Sequence, residues 1–112
     1  MKNSALTIIQ SPSSLIAINA PDFQSQLAQI LHKTSTESLL LDMSETEFLD
    51  SAGLMALVST LKLAKSLHKR FSLCALSPTI KIIFEVTQLD KSFEILPTLE
   101  SEQTGFNEYL VA

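Results

Sequence analysis

The stretch Leu39-Leu40-Leu41-Asp42-Met43-Ser44-Glu45-Thr46-Glu47-Phe48-Leu49-Asp50-Ser51-Ala52-Gly53-Leu54 decides how this chain folds. It opens on a continuous apolar run, Ser38 to Met43, of the kind buried on both faces of a parallel sheet. An acidic loop, Ser44 to Asp50, follows. From Leu54 the apolar residues Leu54, Leu57, Val58 and Leu61 recur at i, i+3, i+4 and i+7, the spacing of one buried helical face. The spacing predicts a helix from Ala52 to about Lys69, with Ser51 at or near its N-cap, accepting a backbone N–H of the first turn. Its last turn gathers His68, Lys69 and Arg70 at the negative end of the helix dipole.

Working outward, strands and helices alternate. Leu6 to Ile9 is short and rich in β-branched residues, a strand that leads into the Ser11-Pro12-Ser13-Ser14 turn; a weaker strand follows at Leu15 to Ile18. Asn19 is a suitable N-cap, and Phe23, Leu27, Ile30 and Leu31 give a helix from about Ala20 to Lys33. Past the central helix, Phe71 to Leu76 reads as a strand. Ser77-Pro78 then supplies a cap and a first-turn proline for a third helix ending near Gln88, with Ile80, Ile83 and Phe84 facing inward. Phe93 to Ile95 is a last short strand, and the tail from about Thr98 to Leu110 reads as a fourth helix that Gly105 weakens. The expectation is an α/β fold: a single domain over residues 1–112, with a small mixed, mostly parallel sheet of four to five strands and about four helices.

Composition narrows the function. Hydrophobic residues make up 46% of the chain with only four prolines and two glycines, a globular composition. Eight basic against twelve acidic residues leave a formal charge of −4 and no Lys/Arg stripe, which speaks against nucleic-acid binding. No run approaches the ~20 apolar residues of a membrane span, and the first residues lack the apolar core of a signal peptide, so a cytoplasmic location is expected. The single cysteine, Cys74, sits in an apolar run as a small buried hydrophobe.

Catalytic chemistry finds little support. His32 and His68 both fall at helix ends, where dipole or surface roles are ordinary. Ser51 has no nucleophile-elbow context, and Gly53 alone makes no phosphate loop. Asp42 and Asp50 flank the loop as a phosphorelay receiver's aspartate would, but the early chain offers only Asp22 toward the acidic pair such a site needs for Mg²⁺. Asp42 capping the loop and Asp50 complementing the helix start are the structural readings. No enzyme, metal site or cofactor is expected.

The segment Asp50-Ser51-Ala52-Gly53-Leu54 resembles the Asp-Ser-(Ser/Thr/Ala)-Gly-Leu loop of the STAS domain of bacterial anti-sigma factor antagonists. Phe71 to Phe84 and Asn19 to Phe23 extend the resemblance to roughly residues 6 to 96. It implies that Ser51 is phosphorylated by a partner serine kinase, an anti-sigma factor of the histidine-kinase ATPase fold, and reset by a PP2C-like phosphatase. Binding would occur with Ser51 unmodified and release on its phosphorylation. ATP and Mg²⁺ would belong to the kinase. One departure stands out: where the family carries Gly-x-Leu-Asp before its first helix, this chain has Ser13-Ser14-Leu15-Ile16, with isoleucine in the acid's place.

The partner-binding surface expected from this reading comprises Asp42, Thr46, Phe48, Asp50, Ser51, Ala52, Gly53, Met55 and Ser59, with Met55 the apolar anchor and Phe48 weighted toward the core. A phosphoserine adds about −1.5 to −2 charge. Beside Asp50, Glu45 and Glu47 that charge would block a docked partner by bulk and repulsion. The alternative is a constitutive STAS scaffold in a signalling complex, with Ser51 only a helix cap.

Overall fold

The apolar run at Leu39 to Leu41 forms the interior of a parallel sheet. The computed structural model describes residues 5–98, whose strands are β1 (Leu6–Gln10), β2 (Ser14–Leu15), β3 (Ser38–Asp42), β4 (Phe48–Leu49), β5 (Arg70–Cys74) and β6 (Glu94–Leu96). The helices are α1 (Ala20–His32), α2 (Ser51–Ser66) and α3 (Pro78–Val86), with a 3-10 turn at Leu89–Lys91. Strands β1, β3, β5 and β6 lie side by side in that order, all parallel; β2 and β4 form a separate parallel pair. The expected mixed, mostly parallel sheet is thus parallel throughout the described residues. The expected fourth helix lies outside them.

The main core is built where the predicted stripes meet. Leu39 and Leu41 of β3 and Phe71 and Leu73 of β5 pack under Phe23, Leu27 and Leu31 of α1, Ala56, Leu57 and Ala64 of α2, and Ile80 and Phe84 of α3. Phe93 stands edge-on to Phe71 at 6.2 Å and to Phe84 at 5.4 Å between ring centres. Such pairs contribute about 0.5–1.5 kcal/mol beyond the area they bury.

Helix α2 ends at Ser66, three residues short of the expected Lys69. The reason is backbone chemistry at His68, whose φ of 58° is left-handed. His68 N–H donates to the Lys65 carbonyl and Lys69 N–H to the Ala64 carbonyl, the paired bonds of a Schellman stop. The Lys69 side chain does not serve its own helix. Its ammonium donates to the Leu31 and Lys33 carbonyls at the end of α1.

Asn19 also departs from its expected role. It precedes α1, yet its side chain makes no cap bond to the helix. Instead Oδ1 accepts the Ile16 N–H at 2.9 Å and Nδ2 donates to the Ser14 carbonyl at 2.7 Å, so the residue fastens the turn before the helix. Ser77 does cap α3, accepting the Ile80 N–H at 3.3 Å.

Candidate functional site

Ser51 is the first residue of α2, and the cap is its neighbour. Asp50 Oδ1 accepts the Gly53 N–H at 2.8 Å, so the expectation that Ser51 caps the helix is corrected. A carboxylate reaches the third N–H of the turn and carries the charge the dipole favours. The second oxygen, Oδ2, accepts the Ala17 N–H at 2.9 Å, from the turn between β2 and α1. The Gly53 hydrogen bond is the main force holding the Asp50 carboxyl below its ordinary 3.8; partial desolvation opposes it, and the Ala17 and Ala52 N–H groups add to it. Ser51 is left exposed, its hydroxyl making no hydrogen bond among the described residues.

The acidic loop is more ordered than its composition suggests. Within it, β4 pairs with β2 in the register Ser14↔Phe48 and Leu15↔Leu49. That strand was missed because two residues carry no periodicity. Thr46 is buried and its hydroxyl donates to the Pro12 carbonyl at 2.8 Å, so this expected contact residue is instead a structural tie across the loop. Asp42 accepts the Ser44 N–H at 2.9 Å, turning the chain out of β3.

Gly53 is buried because α2 crosses β2 at backbone distance. A Cβ at this position would stand 2.1 Å from the Leu15 carbonyl oxygen and 2.9 Å from Leu49 Cδ1. The glycine therefore sets the position of Ser51 from beneath and is not a contact itself. Ala52 is half-buried against the core, and Ser59 is half-buried two turns along the helix.

Three large apolar side chains are exposed near this end of the molecule, alongside the exposed carboxylates Glu45, Glu47 and Asp50. Phe48 is 61% exposed, in contrast to its expected place in the core, and Met55, one turn below Ser51 on α2, is 55% exposed. The side chain that sequence reasoning missed is Ile18, 86% exposed on the turn that Asp50 clamps. Its signal was present but ambiguous: Leu15 to Ile18 reads as a weak strand, while a turn closed by Asn19 N–H to the Ile16 carbonyl at 3.0 Å turns Ile18 outward. The β2–β4 pair, the Asp50 clamp and the helix pitch bring Ile18, Phe48, Ser51 and Met55 to the same end of the molecule.

Among the described residues no cluster of His, Cys, Asp and Glu is placed to hold a metal ion, and no helix is long and apolar enough to cross a membrane.

Comparison with known proteins places this geometry. The STAS domain family model matches residues 2–102. An anti-sigma factor antagonist from Mycobacterium paratuberculosis superposes with a TM-score of 0.78 at 27% identity, over 90% of this chain and 85% of that one. The phosphorylated form of SpoIIAA, a Bacillus cell fate determinant, matches with a TM-score of 0.71 at 15% identity, over 91% and 90% of the two chains. The STAS domain of a SulP transporter from Vibrio cholerae matches as well, with a TM-score of 0.77 at 12% identity over 96% and 86%. The family match over nearly the whole chain agrees with the parallel sheet and the Asp50-Ser51 helix start: this protein belongs to the STAS domain family.

Proposed function

We propose that this protein is an anti-sigma factor antagonist that switches partners through Ser51. It binds an anti-sigma factor with serine kinase activity, of the histidine-kinase ATPase fold, while Ser51 is unmodified. Phosphorylation of Ser51 releases it, and a PP2C-like phosphatase restores it, all in the cytoplasm. The protein catalyses nothing itself. The observation that carries this reading is an exposed serine hydroxyl at the start of α2 that makes no hydrogen bond among the described residues, with Asp50 taking the capping duty in its place.

The switch follows from electrostatics. Because Asp50 already takes the Gly53 N–H, a phosphate on Ser51 finds that donor occupied and points toward solvent. It places about −1.5 to −2 charge beside a carboxylate that stays ionised. Asp50, exposed Glu45 and exposed Glu47 then add to the same negative field. An apolar partner surface that fits over a neutral hydroxyl meets a dianion there, and the desolvation cost opposes docking.

Parallel pull-downs from native cytoplasmic extract with wild-type, Ser51→Ala and Ser51→Asp baits test this, followed by binding measurements on the recovered kinase. Ser51→Ala should hold the kinase in the presence of ATP, while Ser51→Asp should weaken binding more than about tenfold, above 1.4 kcal/mol. Equal affinities for the two variants would sink the mechanism.

A second reading is a constitutive STAS scaffold with Ser51 unmodified. It is favoured by Ile16, half-buried where the family's acid is expected. Its original form, with Ser51 as helix cap, does not survive the Asp50 geometry. Mass spectrometry of the protein from its native cell separates the two, since only the switch requires phosphate on Ser51.

A further inference from the structure

The four-strand sheet ends on β1 at one side and on β6 at the other. Ser11 N–H donates to the Asp42 carbonyl at 2.8 Å, so alternation turns the backbone groups of Thr7, Ile9 and Ser11 toward β3 and those of Leu6, Ile8 and Gln10 away from it. Among the described residues no strand lies on that outer side. Natural sheets blunt such an edge with Lys, Pro, a bulge or a very short strand, because its free N–H and carbonyl groups invite another chain. The β6 edge is blunted: it has three residues, Pro97 follows it, and Glu94 is tied to Arg70 in a salt bridge. The β1 edge has none of these devices. Leu6-Thr7-Ile8-Ile9-Gln10 carries no charge and no proline, matches β3 one residue to one over its whole length, and leaves Ile8 38% exposed.

The helix beside this edge says what fits it. Gln10 and Pro12 at the end of β1 form an open groove with Asp22, Phe23 and Gln26 of α1. Asp22, Gln26, Gln29 and Lys33 recur at i, i+4, i+7 and i+11 and are all exposed, so the helix face that borders the groove runs on along the edge. Its Asp22 end lies beside Gln10. Its Lys33 end lies toward Thr7: the Lys33 carbonyl accepts the Thr36 N–H at 3.1 Å, and the Thr36 and Thr7 hydroxyls are 3.4 Å apart. The Lys69 ammonium, on the Leu31 and Lys33 carbonyls, adds to the positive charge there. Glu37, near the same end, lies one strand inward, its backbone between Ala5 and Arg70. Neither Asp22 nor Lys33 carries a salt bridge among the described residues. An uncharged strand flanked by a negative charge at one end and positive charge at the other is complementary to itself turned end for end.

We propose that the outer edge of β1 is an interface for a second copy of this chain, the two β1 strands pairing antiparallel about a two-fold axis at Ile8 and joining the two sheets into one. Leu6 then exchanges backbone hydrogen bonds with the partner's Gln10, Ile8 with the partner's Ile8, and Gln10 with the partner's Leu6. Ile9 packs on the core, so Ile8 points to the opposite face, where the two Ile8 side chains meet across the axis. The same axis brings Asp22 of each copy toward the partner's Lys33.

In sedimentation equilibrium of the full chain from about 5 to about 500 µM, the mass should rise from that of one chain toward that of two. Ile8→Lys sets like charges face to face on the axis and should raise the dissociation constant about tenfold or more. Asp22→Lys should raise it about threefold, and Asp22→Lys combined with Lys33→Asp should bring it back, a rescue that requires the end-for-end arrangement. A single-chain mass at every concentration overturns the proposal, as does a dimer that Ile8→Lys leaves intact or a charge swap that binds no tighter than Asp22→Lys alone. Should Ile8→Lys lose its cooperative melt, amide hydrogen exchange of the wild-type chain decides. The N–H groups of Leu6, Ile8 and Gln10 should exchange more slowly at the high concentration than at the low one, while those of Thr7 and Ile9, turned toward β3, stay protected at both. Exchange at Leu6, Ile8 and Gln10 that does not change with concentration overturns it.

Discussion

The two ends of α2 solve the same problem in opposite ways. At the start, Asp50 satisfies the helix and reaches outside it to Ala17, while the Ser51 hydroxyl makes no hydrogen bond among the described residues. At the far end two residues close the structure: His68 takes a left-handed conformation to end the helix, and the Lys69 ammonium bonds to carbonyls at the end of α1. The difference teaches where a small domain keeps reactive surface. Under the proposed switch, Ser51 can take a phosphate without undoing the fold because its neighbour Asp50 carries the capping duty.

The largest effect should come from breaking the start of α2 at Gly53. Alanine gains about 1 kcal/mol of helix propensity over glycine. At this site its methyl would meet the Leu15 carbonyl oxygen at 2.1 Å, a backbone atom that cannot swing away. Overpacking costs about 1–3 kcal/mol, so Gly53→Ala should lower stability in urea unfolding and weaken kinase binding by displacing Ser51. Unchanged values in both would mean that α2 does not rest on β2 as described.

A smaller effect sharpens the comparison through pH. The Asp50 carboxyl titrates below 3.8 in the folded chain. A depressed folded value means a contribution present above the unfolded value and lost as pH falls through the folded one. Asparagine caps a helix about as well as aspartate but does not titrate. Asp50→Asn keeps one acceptor for the Gly53 N–H but turns an N–H₂ toward the Ala17 N–H, so it should melt below wild type at neutral pH and lose less stability on acidification below 3.8. Glu94 contributes a second acid limb. Burial works to raise its carboxyl, but hydrogen bonds and charge from Arg70, with a bond from Ser72, outweigh that and hold it below 4.5. The limb below 4.5 should persist in Asp50→Asn and shrink in Glu94→Gln, as melting temperature against pH will show.

The smallest change belongs to the far end. A left-handed non-glycine residue is strained by about 1–2 kcal/mol, and glycine's extra unfolded-state freedom returns roughly 0.5–1 of that. His68→Gly should raise stability by about 0.5 kcal/mol by thermal denaturation and leave partner binding untouched. An altered affinity would show that the two ends of α2 are coupled.

Much of the fold was legible because it rests on short-range patterns. The apolar run at Leu39 to Leu41, the helical stripe from Leu54 and the Ser77-Pro78 helix start each carry their own signal, and each appears where the sequence places it. The site was legible in part. Ser51 and Met55 stand on the surface as read, whereas Thr46 and Gly53 are withdrawn from it and Phe48 is not in the core. The contacts that move them, Thr46 to Pro12 and Gly53 to Leu15, join residues more than thirty positions apart. No local period encodes such a meeting.

By itself, then, the sequence determined the order of the four main-sheet strands and of α1, α2 and α3, the buried stripe of each and the Asp-Ser-Ala-Gly-Leu helix start, because hydrophobic periodicity and cap preference act within a few residues. Only the tertiary structure decided that Asp50 and not Ser51 caps α2, that Asp50 holds the Ala17 turn and that Lys69 closes a different helix. Those outcomes depend on which backbone groups lie within hydrogen-bond reach once the sheet has brought distant turns together.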